Sequence, residues 1–139
     1  MIILDTNVVS EPLKLKPEAT VISWLNAQEP QTLYLTTINL AELLSGLDIM
    51  PAGRKRAALK TALEDNILPL FEGRIVQFDN KAAQAFAKIN AKVQSAGGTI
   101  SFADCAIAAI AQANGFALAT RNVLDFNKTG VEIVNPWDL

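Results

Sequence analysis

Three acidic residues stand among neighbours that give them chemical potential. Asp5 directly follows the apolar run Ile2-Ile3-Leu4, in Asp5-Thr6-Asn7. A carboxylate at the C-terminal lip of a buried strand suits a metal ligand, with Thr6 or Asn7 orienting it by hydrogen bonds. The plainer role for the same residue is an Asx turn or helix N-cap. Glu42 lies early in a helix, in Asn39-Leu40-Ala41-Glu42-Leu43-Leu44. Taken alone it is better explained as the reciprocal partner of Asn39 in a capping box. Asp104, in Ser101-Phe102-Ala103-Asp104, reads equally as a first-turn acid behind a capping serine. Its continuation, Cys105 to Ala111, is apolar nearly all round, which predicts a buried helix and a poorly solvated acid.

A later polar segment, Thr120-Arg121-Asn122-Val123-Leu124-Asp125, offers accessory groups. Thr120 and Asn122 could hydrogen-bond a water near a metal, Asp125 could add a fourth carboxylate and Arg121 could meet a phosphate. An ordinary loop would use the same Asn and Asp for turn geometry.

What these acids can do is narrowed by an absence. The chain has 139 residues, no histidine and one cysteine, Cys105. Ser-His-Asp and Cys-His nucleophiles, paired-histidine ribonuclease chemistry, imidazole zinc sites and internal disulfides are all excluded. No lysine or arginine lies within four residues of Asp5, Glu42 or Asp104 in sequence. Carboxylates gathered without a cation repel and raise one another's pKa. A hard divalent ion, Mg²⁺ or Mn²⁺, is the economical neutraliser of such an all-oxygen set. The chemistry it supports without histidine is phosphoryl transfer or phosphodiester hydrolysis by an activated water. Thr6, Ala41 and Ala103, small residues beside the acids, leave room for a phosphate backbone.

The elements that must carry these residues alternate along the chain. Strand-like runs occur at Ile2–Leu4, Leu33–Thr36, Ile75–Phe78, Phe116–Thr120 and Val131–Val134. Helical spacing links Val21, Ile22, Trp24 and Leu25; Leu40, Leu43, Leu44 and Leu47; Ala58, Leu59, Ala62 and Leu63; and Ala82, Phe86, Ile89 and Val93, the last stopping at Gly97-Gly98. A fifth helix runs from Ser101 to about Asn114, with Gly115 suited to its left-handed C-terminal position. This pattern predicts an α/β fold: a three-layer α/β/α sandwich around a parallel sheet of about five strands, as one domain over 1–139. Pro51 and Gly53 predict a protruding helical hairpin between the second and third helices. In such sheets ligands bind at the C-terminal strand ends, where the acids fall.

Together, the motifs resemble the PIN-domain ribonucleases. They are Asp-Thr-Asn after the first strand, Asn-Leu-Ala-Glu-Leu opening the second helix, Ile-Ser-Phe-Ala-Asp-Cys-Ala-Ile-Ala-Ala opening a late one, and Ala-Thr-Arg-Asn-Val-Leu-Asp-Phe after the next strand. Within that family the chain looks most like the VapC and FitB toxins of type II toxin-antitoxin modules, over its whole length to Val134-Asn135-Pro136-Trp137. The resemblance implies that Asp5, Glu42 and Asp104 bind Mg²⁺ or Mn²⁺ and activate water for RNA cleavage. Relatives often carry aspartate where this chain has Asn122, so the fourth position passes to Asp125 or is filled by Asn122 through water. A homodimer is implied too, with a cognate VapB- or FitA-like antitoxin whose tail inhibits the toxin and whose N-terminal part binds operator DNA.

The remaining features are quieter. Net charge is -2, from 12 basic and 14 acidic residues, which argues against coating nucleic acid by charge. Arg54-Lys55-Arg56 with Lys60 reads as a solvated helix face or an RNA rim. Trp24 and Trp137 read as packing residues, and Cys105 as a small core residue. No signal peptide or membrane span is expected, and a cytosolic protein is the default. Two other functions fit parts of the pattern. One is a phosphatase or phospho-acceptor using Asp5 as nucleophile, disfavoured by Asn7 standing where a second acid is needed. The other is a non-catalytic PIN-like binding protein, disfavoured by the retained acids.

Overall fold

The computed structural model describes all of residues 1–139. Five strands, β1 (Ile2–Leu4), β2 (Leu33–Thr36), β3 (Ile75–Val76), β4 (Ala117–Ala119) and β5 (Ile133–Val134), form one sheet in the order β3-β2-β1-β4-β5. All pairs are parallel. Seven helices accompany them: α1 (Thr6–Ser10), α2 (Ala19–Ala27), α3 (Thr37–Ile49), α4 (Arg54–Thr61), α5 (Asn80–Ser95), α6 (Phe102–Asn114) and α7 (Val123–Phe126). The expected α/β/α sandwich is the observed architecture.

Side chains alternate across the pleat and divide the core in two. Ile3 and Leu118 face α5, α6 and α7, meeting Ala85, Ile89, Ile107, Ile110 and Phe126. Leu4, Leu33, Leu35 and Ala119 face the other way, onto Val8, Val9, Leu43, Leu63 and Phe71. This period of two is what a sheet buried on both faces demands. Helix α6 is buried continuously from Cys105 to Ala111, as its composition predicts. Its alanines let the helix lie close to the strands while contributing little volume of their own.

The strands are shorter than the apolar runs suggest. The run Ile75–Phe78 pairs only through Val76; Phe78 leaves the ladder and packs on Phe86 at 6.0 Å between ring centroids. The runs at 116–120 and 131–134 also lose their outer residues. The helical hairpin forms, and Ile49 near its tip is strongly exposed. Beyond α4 the chain continues through a π-helical turn, Ala62–Ile67. Two short helices, α1 and α7, are absent from the sequence expectation; each has only one or two buried residues and so no apolar period to announce it.

From β1 the chain builds outward through β2 and β3, then returns to lay β4 and β5 against the other side of β1. The crossovers diverge between β1 and β4, so a crevice opens at their C-terminal ends. Glycines offer a test of local backbone control. Gly115 ends α6 at φ +69°, with nothing near enough to clash with an added methyl group. Gly115→Ala should therefore cost about 1–2 kcal/mol through backbone strain alone. Gly46, inside α3 and equally unobstructed, should give a gain of about 0.5–1 kcal/mol as Gly46→Ala. Thermal melting checks both, and shifts of the same sign for the pair would refute this account.

Candidate active site

The register Ile3↔Tyr34 and Leu4↔Ala119 puts the next residues of the three central strands, Asp5, Thr36 and Thr120, in one row at the crevice. The amide of Asp5 still donates to the Ala119 carbonyl at 2.9 Å, which fixes its backbone to the sheet. Its side chain is only 5% exposed and gathers four donors. Oδ1 accepts from the Thr6 amide (2.9 Å) and Asn39 Nδ2 (3.4 Å). Oδ2 accepts from Thr120 Oγ1 (2.7 Å) and Asn7 Nδ2 (3.5 Å). Asp5 thus caps α1 and also occupies the centre of the crevice; the two roles suggested by its sequence coexist.

Glu42 is not half of a capping box. The box at the start of α3 is closed by Thr36 and Asn39: Thr36 Oγ1 accepts from the Asn39 amide at 3.0 Å, and Asn39 Oδ1 accepts from the Thr36 amide at 3.1 Å. The helix starts earlier than the Asn39–Glu42 spacing suggests, because Thr36 at the strand end is already an effective cap. This has two consequences. Asn39, fully buried, must turn its Nδ2 away from Thr36, and there it meets Asp5 and Thr6 Oγ1 (3.3 Å). Glu42 is left free in the second turn and accepts from Thr6 Oγ1 at 2.8 Å. A continuous hydrogen-bonded line runs Thr36–Asn39–Thr6–Glu42, with Asp5 joined at Asn39. Sequence reasoning missed Asn39 and Thr36 as positioning residues, although a Thr three residues before an Asn at a strand-to-helix junction carries the signal.

The late polar segment buttresses the same centre. Thr120, buried, accepts from the Asn122 amide (3.0 Å) and so is committed to donating to Asp5. Asn7 Oδ1 accepts from the Arg121 amide at 3.3 Å. Arg121 lays its guanidinium over the Trp137 ring, 5.2 Å from the centroid, and forms no ion pair with any site acid. Asn122 precedes α7 without a side-chain capping bond. Asp104 is half-buried in the first turn of α6, its amide donating to Ser101 Oγ at 3.1 Å.

Burial, more than mutual repulsion, governs the electrostatics. Desolvation is the main reason the Asp5 carboxyl is pushed above the ordinary range, opposed by the hydrogen bonds from Thr120, Thr6 and Asn39 and assisted by the charge of Asp125. Asp104 is also raised, first by burial, then by the charges of Asp5, Asp125 and Glu42, against the hydrogen bond of Ser101. The four acids therefore share one electrostatic field. The chain's two ion pairs, Lys14–Glu11 and Arg56–Asp48, lie elsewhere, so no lysine or arginine neutralises them.

A set of hard oxygen donors without a cation fits a divalent ion in kind. It does not form a closed shell: no three carboxylates come near enough to grip one ion together. The tethering of Glu42 to Thr6 implies that side-chain movement or bridging waters would complete the coordination. The basic cluster sits on α4, exposed except at Arg56, which reaches Asp48 at 3.4 Å.

Folded Asp104 keeps its proton to higher pH than the unfolded chain does. The metal-free fold is consequently favoured at or below the ordinary carboxylate range and loses stability as pH rises from there through the raised pKa. In chelator, Asp104→Asn should melt higher than the parent at neutral pH, with the gap closing below about pH 4. A gap that widens on acidification would contradict the assignment.

The chain matches the PIN domain family over residues 2–131. It is 46% identical to the plasmid stability protein StbB of Pseudomonas syringae and 44% identical to a VapC ribonuclease of Sinorhizobium fredii, with 99% of both chains covered in each case. A FitAB structure bound to a DNA fragment superposes with a TM-score of 0.96 at 40% identity, over 100% of this chain and 97% of that one.

Proposed function

The chain belongs to the PIN-domain family, and on that premise we propose that it is a metal-dependent endoribonuclease, the toxin of a type II toxin-antitoxin module. The observation that carries this reading is the cluster of Asp5, Glu42, Asp104 and Asp125, sharing one field with no protein cation among them. Asp5, Glu42 and Asp104 would hold Mg²⁺ or Mn²⁺, and Asp125 is our choice over Asn122 for the fourth position, because its charge acts on both Asp5 and Asp104. A divalent ion there supplies polarisation of the phosphate and acidification of an attacking water.

The chain's own residues do the positioning. Asn39 and Thr120 hold opposite oxygens of Asp5, so the carboxylate cannot rotate. Thr6 keeps Glu42 turned towards the same opening. Asn7 fixes the Arg121 backbone.

The competing use of Asp5 as a phosphate-accepting nucleophile is disfavoured, since Asn7 stands where a second acid would be needed. As partners we propose a second copy of this chain and a VapB- or FitA-like antitoxin, through which operator DNA would be engaged; the FitAB relative is bound to a DNA fragment. Leu15, Ile49, Leu70 and Leu139, all strongly exposed, are apolar surface that such partners would cover. No helix is long and apolar enough to cross a membrane. A cytosolic location follows from the proposed role as the toxin of such a module, by likeness to the VapC ribonuclease.

Purified protein should cleave RNA with Mg²⁺ or Mn²⁺ and stop in chelator. Asp5→Asn and Asp104→Asn should each lower the rate by at least about a hundredfold, a loss of the order that accompanies removal of a group acting directly on the transition state. Undiminished cleavage by Asp5→Asn, at equal folded content, would sink the assignment. Mn²⁺ titrated into the parent but not the variant should give saturable binding by calorimetry.

A further inference from the structure

Eight large apolar residues remain exposed, and seven are Met1, Ile49 and leucines; Phe102 alone is aromatic, at 67% exposed. Its ring is not loose. The centroid of Phe102 is 5.1 Å from that of Phe86 and 6.3 Å from that of Phe78, and those two rings meet edge to face at 6.0 Å. Two aromatic neighbours thus steady one side of the ring while most of it stays open.

Phe102 is also the first residue of α6, and Asp104 follows it in the same turn, held down by the Ser101 cap. Residues two apart on a helix point to different sides of a cylinder about 10–12 Å across. Ring and carboxylate therefore flank the same end of α6.

We propose that Phe102 is a stacking platform for an unpaired base beside the phosphate that is cut. This rests on the ribonuclease reading above. No lysine or arginine pairs with the site acids to draw in a polyanion, and the face of a base is indifferent to their charge. Stacking on an exposed ring is open to every base, so it selects unpaired structure more than sequence. In duplex RNA the bases are already stacked on one another and cannot reach the ring.

The test is a cycle between protein and substrate. After the cut is mapped, RNAs are made with an abasic nucleotide at each of the positions flanking it, and KM and kcat are measured with the parent and with Phe102→Ala. Phe102→Ala should raise KM roughly tenfold or more, in line with base–aromatic stacking, with kcat at saturating RNA little changed. One abasic position should raise the parent's KM similarly and give no further loss with Phe102→Ala. Phe102→Tyr should behave as the parent, Phe102→Leu as Phe102→Ala, and the same RNA annealed to its complement should resist cleavage. Multiplying losses, a Leu variant with parental KM, or an efficiently cut duplex would overturn the proposal. A parent protein that cuts no RNA with any divalent ion overturns the ribonuclease reading itself; a parent that cuts, with KM unmoved by Phe102→Ala, overturns the stacking platform alone.

Discussion

The molecule is organised around one costly act: the burial of the Asp5 carboxylate at the end of its central strand. A charge so placed must be surrounded by donors or lose its ionised form. The donors come from three separate parts of the chain, Thr6 and Asn7 in α1, Asn39 in α3 and Thr120 after β4. Each is itself constrained: Asn39 by the Thr36 cap, Thr120 by the Asn122 amide, Asn7 by the Arg121 amide. The strand order brings these segments together, since β1 lies between β2 and β4. Compact packing on both faces then holds the geometry, with the apolar α6 pressed against Ile3 and Leu118.

Much of this is legible in the residues, for identifiable reasons. Strand and helix periods differ, so the alternation of Ile2–Leu4, Leu33–Thr36 and the helices between them announces a parallel sheet. Acids after strands announce the crevice. What sequence does not supply are features decided by competition at close range. Thr36 takes the place of Asn39 as the cap of α3, which turns Asn39 from a helix start into a hydrogen-bond partner of Asp5 and releases Glu42. Phe78 has strand propensity, yet the aromatic surface of Phe86 draws it out of the ladder. Helices α1 and α7 are too short to show a period, and only the hydrogen bonds at their ends reveal them.

Tertiary contact also changes which force dominates among the acids. Sequence spacing suggests carboxylates governed by mutual repulsion. In the fold, burial comes first for both Asp5 and Asp104, and repulsion is an addition to it. The centre is thus strained more by loss of water than by crowding of charge, which is consistent with acids that share a field without touching.

The lack of histidine acquires a further meaning beside these raised acids. Side chains that ordinarily exchange protons near neutrality are missing, and the single thiol is buried and pushed upward. Burial raises the proton affinity of Asp5 and Asp104, so a cation entering the crevice would compete there with protons. Calorimetry of cation binding in buffers of different ionisation enthalpy would count the protons released.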